Sequence, residues 1–133
     1  MVDKERRLRA AQLIEKLISC QITNYEYDDQ FPRCEDDPAL HAIYTALWFT
    51  YSDVREHRMD GKHALKPEAR ETVDQCVLFL KTDIEYRGPK NFIDLTAPFK
   101  RLWNFVRGKR GRNELPDYWP FDSDEQLQSA KQT

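Results

Sequence analysis

Glycine is scarce in this chain, with 4 among 133 residues. A turn-rich β fold needs many residues able to adopt positive φ, so the scarcity turns the reading toward helices. Long apolar runs are missing too. Asp, Glu, Lys or Arg interrupts every long stretch before it reaches the roughly 20 residues that cross a bilayer, so no membrane partner is expected. The opening MVDKERRLRAAQ is charged from its third residue and holds no apolar segment, which predicts no secretory signal and a cytoplasmic protein. Cysteine is limited to Cys20, Cys34 and Cys76, with no C-x-x-C pair. That spacing argues against structural zinc and a disulfide framework, and suits a reducing compartment. Cys20 and Cys76 read as small core residues on apolar helical faces. Cys34 sits in a polar loop without a neighbouring base, which disfavours a catalytic thiol. The chain also lacks a P-loop, a Rossmann fingerprint, a nucleophile elbow and H-E-x-x-H. The reading therefore leans away from an enzyme, and no cofactor is expected.

What is present is charge and aromatic surface: 33% charged residues, 40% hydrophobic and 12% aromatic. A chain of this length makes one domain, residues 1–133, able to bury about two-thirds of its unfolded surface. Leu8, Ala11, Ile14, Leu17 and Ile18 recur at helical spacing between Asp3, a cap, and Ser19. Thr23 and Glu26 fit a capping box for a short helix from Asn24 to Gln30, which Pro32 ends. Asp37 reads as an N-cap with Pro38 at the first helical position, and the stripe Leu40, Ile43, Tyr44, Leu47, Trp48, Tyr51 and Val54 predicts a helix to about His57, with Gly61 as terminator. Pro67 opens another helix, whose Ala69, Val73, Cys76, Val77 and Leu80 form one face, ending near Thr82 or Asp83. Segment 91–108 carries Pro98 and is read as a turn plus a helix, or one kinked helix, with Phe99, Leu102, Trp103 and Val106 inward. A box at Asp122 with Glu125, or Ser123 with Gln126, opens a last short helix to about Ala130, and Trp119 and Phe121 anchor this tail to the rest. The predicted architecture is all-α: an irregular bundle of about four main helices plus short accessory helices.

Three constellations carry potential chemistry. His57 and His63, with Asp53 or Asp60, offer a two-His, one-carboxylate metal site, as in a metal-binding bundle or a metal-dependent enzyme. His41 is excluded from it, because sixteen residues of helix separate it from His57 by about 24 Å. The bland alternative is a cationic His57 complementing a helix end. Second, residues 26–37 hold six acids (Glu26, Asp28, Asp29, Glu35, Asp36 and Asp37) against Arg33, a local charge of −5. No calcium-loop spacing appears, so the stretch reads as a solvated face or as the surface for a basic protein partner. Third, Arg107, Lys109, Arg110 and Arg112 form a basic loop between aromatics. Phosphate contact would suit such a loop, yet the whole chain is acidic on balance, at −2, which disfavours nucleic acid.

The segments DPALHAIYTALWFTYSD, HRMDGKHAL, QCVLFLKTDIEYRGP and DYWPF resemble a group of small bacterial proteins without assigned function. The resemblance covers the middle and end of the chain and implies no activity, ligand or catalytic residue. The expectation is a small cytoplasmic protein-binding module, its oligomeric state open. Its alternatives are the metal site, a nucleic-acid binder and an immunity protein that neutralises a basic toxin.

Overall fold

A computed structural model describes residues 2–33, 35–48, 56–88 and 117–132. The protein is all-α, with no strand among the described residues. Its helices are α1 (Lys4–Ile18), α2 (Asn24–Gln30), α3 (Pro38–Trp48), α4 (Pro67–Leu80) and α5 (Asp124–Lys131), with a 3-10 turn at Gly61–His63. Segment 91–108 and the basic residues Arg107, Lys109, Arg110 and Arg112 lie outside the described residues, as do Cys34, Tyr51, Asp53 and Val54.

Local chemistry accounts for the helix ends. The Asp3 side chain accepts from the Arg6 N–H and caps α1. The capping box of α2 is complete: Thr23 Oγ1 accepts from the Glu26 N–H, and Glu26 Oε1 accepts from the Thr23 N–H. Pro67 opens α4 at its first turn. The box of α5 is modified. Ser123 Oγ accepts from the Gln126 N–H, while Gln126 Oε1 accepts from the N–H of Asp122, one residue early. Helix α1 closes in a Schellman motif, with Cys20 N–H to the Leu17 carbonyl at 3.2 Å and Gln21 N–H to the Lys16 carbonyl at 2.9 Å. Cys20 occupies the left-handed position at φ 65°, which glycine usually takes. It is thus a half-buried cap residue and not the core residue expected. Cys76 is fully buried, as expected, and burial pushes its thiol pKa up.

The core joins Ala10, Ala11, Ile14 and Leu17 of α1 to Leu40, Ile43 and Leu47 of α3 and to Val73, Cys76, Phe79 and Leu80 of α4. Each large aliphatic side chain buried there contributes about 1.5–3 kcal/mol. Of the expected inner face of α1, Ala11, Ile14 and Leu17 are buried. Leu8 is 48% exposed, and Arg7 is fully buried in its place. Asp37, directly before α3, is buried against Arg7, and its carbonyl accepts from the Leu40 N–H at 3.1 Å. Arg7 Nε donates to Asp37 Oδ2 at 2.6 Å, and Nη2 donates to Oδ1 at 2.9 Å. Arg7 Nη1 donates to the carbonyls of Thr82 and Ile84 at 3.2 and 2.9 Å, and the guanidinium lies 5.0 Å from the Phe79 ring centre. One side chain therefore ties α1 to the entry of α3 and the exit of α4.

The C-terminal segment docks as the aromatics predict. Trp119 and Phe121 are buried. Trp119 Nε1 donates to the Tyr86 hydroxyl at 3.0 Å, and Phe121 meets Phe79 edge-on at 5.2 Å. Gln75 Nε2 donates to the carbonyls of Asp117 and Trp119 at 2.9 and 2.8 Å, holding this segment on α4.

Candidate partner-binding edge

Helix α2 carries Glu26, Asp28 and Asp29 on seven residues, too short to stand alone in water. Tertiary bonds fix it. Buried Asn24 makes a reciprocal clamp with His57: its N–H donates to the His57 carbonyl at 3.0 Å, and its Oδ1 accepts from the His57 N–H at 2.8 Å. Thr23 Oγ1 donates to Glu56 Oε2 at 2.6 Å. The clamp brings segment 56–58 alongside α2 and adds Glu56 to the acidic set. An open cleft of about 440 Å³ is lined by Tyr25, Glu26, Asp28, Asp29, Gln30 and Glu56. Four acidic residues thus line one depression, with Tyr25 44% exposed beside them.

A second cleft of about 470 Å³ adjoins it, lined by Phe31, Arg33, Glu35, Pro38, Leu40, His41 and Tyr44. Tyr44 connects the two clefts, because its hydroxyl donates to Asp28 Oδ1. Burial, and then the bond to and charge of Asp28, push the Tyr44 pKa up to about 12 against the pull of Arg33. Arg33 lies over the Tyr44 ring, with Cζ 5.0 Å from its centre, and Nη2 donates to the hydroxyl at 3.3 Å. Tyr27, Phe31 and Tyr44 form an aromatic cluster beneath, with centroids 5.1 to 6.2 Å apart.

The acidic stretch is therefore not uniform. Asp37 is inside and neutralised by Arg7. Glu26 and Asp28 are half-buried and engaged in fixed bonds. Asp29, Glu35 and Asp36 stand exposed. Sequence reasoning missed Glu56, since only the Asn24–His57 clamp reveals that it joins the edge.

The histidine pair is brought together in an unexpected form. The predicted helix does not reach His57, where the backbone is no longer helical. Gly61, at φ 54°, opens the 3-10 turn that carries His63. The rings of His57 and His63 stack face to face, with centroids 3.6 Å apart and planes 10° from parallel. Imidazole lone pairs lie in the ring plane, so parallel rings aim them side by side and not at one point. Asp60 is exposed at the start of that turn, and its carbonyl accepts from the His63 N–H at 2.9 Å. Among the described residues, no three His, Cys, Asp or Glu side chains converge as a metal site. No helix there is long and apolar enough to cross a membrane.

Comparison with known protein families, with curated proteins and with solved structures finds no match for this chain.

Proposed function

We propose that the chain is a non-catalytic protein-binding module that takes a basic partner on the α2–α3 edge. The supporting observation is the gathering of Glu26, Asp28, Asp29 and Glu56 around one cleft, beside a second cleft whose lining includes Phe31, Pro38, Leu40 and Tyr44. The two features have complementary uses. Exposed acids steer a Lys- or Arg-bearing partner and fix its register. An apolar cleft takes the anchoring side chain that supplies most of the affinity. Rigid bonds at Asn24, Thr23 and Tyr44 hold the edge in shape, so little ordering entropy opposes association. We place the protein in the cytoplasm, in keeping with the free thiols Cys20 and Cys76. A toxin-neutralising immunity protein is one form such a module takes.

The test is affinity capture from cells with the native protein and with the Asp29→Asn, Glu35→Gln variant, at low and high salt. The native protein should retain a basic protein that both the variant and high salt release. Retention of no basic protein, or equal retention by the variant, overturns the proposal.

A further inference from the structure

We propose that the cleft between the end of α2 and the start of α3 binds a free amino acid with an apolar or aromatic side chain. The inference shares this cleft and Glu35 with the partner reading, but its test is separate, because it turns on Arg33 and on a small ligand in place of a protein. The cleft, at about 470 Å³, falls within the roughly 300–1,000 Å³ of small-molecule sites. Its apolar lining comprises Phe31, Pro38, Leu40 and the Tyr44 ring, beside the polar Arg33, Glu35 and His41.

Arg33 supplies the polar recognition. Among the described residues it makes no ion pair, although Glu35 and Asp36 follow it closely in the chain. The ring and hydroxyl of Tyr44 hold the guanidinium in place instead. A guanidinium carries five N–H donors in a planar fork, and the Tyr44 hydroxyl takes one of them. The natural ligand of the remaining fork is a carboxylate.

Charge balance then selects among carboxylates. A simple anion entering this cleft meets Glu35 on its lining and Asp28 behind Tyr44. A simple cation meets Arg33. A zwitterion satisfies both: its carboxylate takes Arg33, its ammonium takes Glu35, and its side chain meets Phe31 and the Tyr44 ring. A free α-amino acid with an apolar side chain combines these three features on one carbon.

Calorimetric titration tests this with L-phenylalanine, L-leucine and L-tryptophan, beside N-acetyl-L-phenylalanine and L-phenylalanine amide. Each blocked form keeps the side chain and loses one charge. At least one free amino acid should bind saturably in the millimolar range or tighter. Each blocked form should bind about tenfold more weakly or worse, the loss expected for one charge-assisted contact. Arg33→Gln should lose binding by a similar factor with its melting curve unchanged, because the side chain is exposed. Absence of saturable binding, equal binding of free and blocked forms, or unaltered binding by Arg33→Gln overturns the proposal.

Discussion

Replacing Arg7 with methionine probes the joint on which three elements depend. The substitution keeps much of the side-chain length and removes the guanidinium. Asp37 then loses two charge-assisted bonds, of 2.6 and 2.9 Å, and keeps the Asp3 N–H at 3.0 Å. The Thr82 and Ile84 carbonyls each lose the Arg7 donor. Arg7 is 0% exposed and Asp37 1% exposed, so water does not replace what is lost. Breaking such a pair from one side costs about 3–5 kcal/mol, against a total stability of roughly 5–15 kcal/mol for a domain. Asp37→Asn should cost a similar amount by stranding the guanidinium. The Arg7→Met, Asp37→Asn double variant should lose less than the sum of the singles, by about 1–3 kcal/mol, since neither charge is left alone. Urea unfolding followed by far-ultraviolet circular dichroism measures all three. A loss below about 1 kcal/mol for Arg7→Met, the range of an exposed pair, refutes the reasoning, and so does strict additivity.

Three further outcomes follow from particular contacts. Cys20→Gly should raise stability by about 1 kcal/mol, roughly 4 °C in Tm, because glycine occupies the φ 65° position without strain; a lower Tm would contradict it. The Tyr44 phenol should ionise near pH 12, read as the difference in phenolate absorbance between the native protein and Tyr44→Phe. Its raised pKa means that its stabilising contribution is whole below pH 10.0 and is lost as pH rises toward 12, so a difference titration centred near 10 speaks against the burial of Tyr44 and its Asp28 bond. Gly88→Ala should destabilise by about 1–3 kcal/mol and red-shift tryptophan emission. The added Cβ would lie 2.6 Å from the Tyr86 hydroxyl that receives Trp119 Nε1, and an unchanged melting curve would refute this contact.

What was legible in the sequence was local. The Thr23–Glu26 box, the proline-opened α4 and the aromatic anchor at Trp119 and Phe121 depend on residues within a few positions or on large apolar surface. Arg7 was not legible, because hydrophobic periodicity passes over a charged residue on an inner face. Its partners lie 30, 75 and 77 residues away. The same separation hid the true position of Asp37 and turned the −5 of the acidic stretch into a smaller surface charge. Glu56 was equally hidden, and so was the stacked geometry of His57 and His63, although their pairing was legible. Their arrangement depends on the Asn24–His57 clamp and on the turn at Gly61, neither of which has a periodic signature.

The partner-binding edge is tested most directly by site-specific photocrosslinking in the cell. Tyr25→benzoylphenylalanine places the probe beside Glu26, Asp29 and Glu56, and Glu71→benzoylphenylalanine places it on the exposed surface of α4. The account predicts a discrete crosslink to a basic protein from position 25, absent from position 71 and weakened by Asp29→Asn with Glu35→Gln. No adduct from position 25, or the same adduct from both positions, would contradict it.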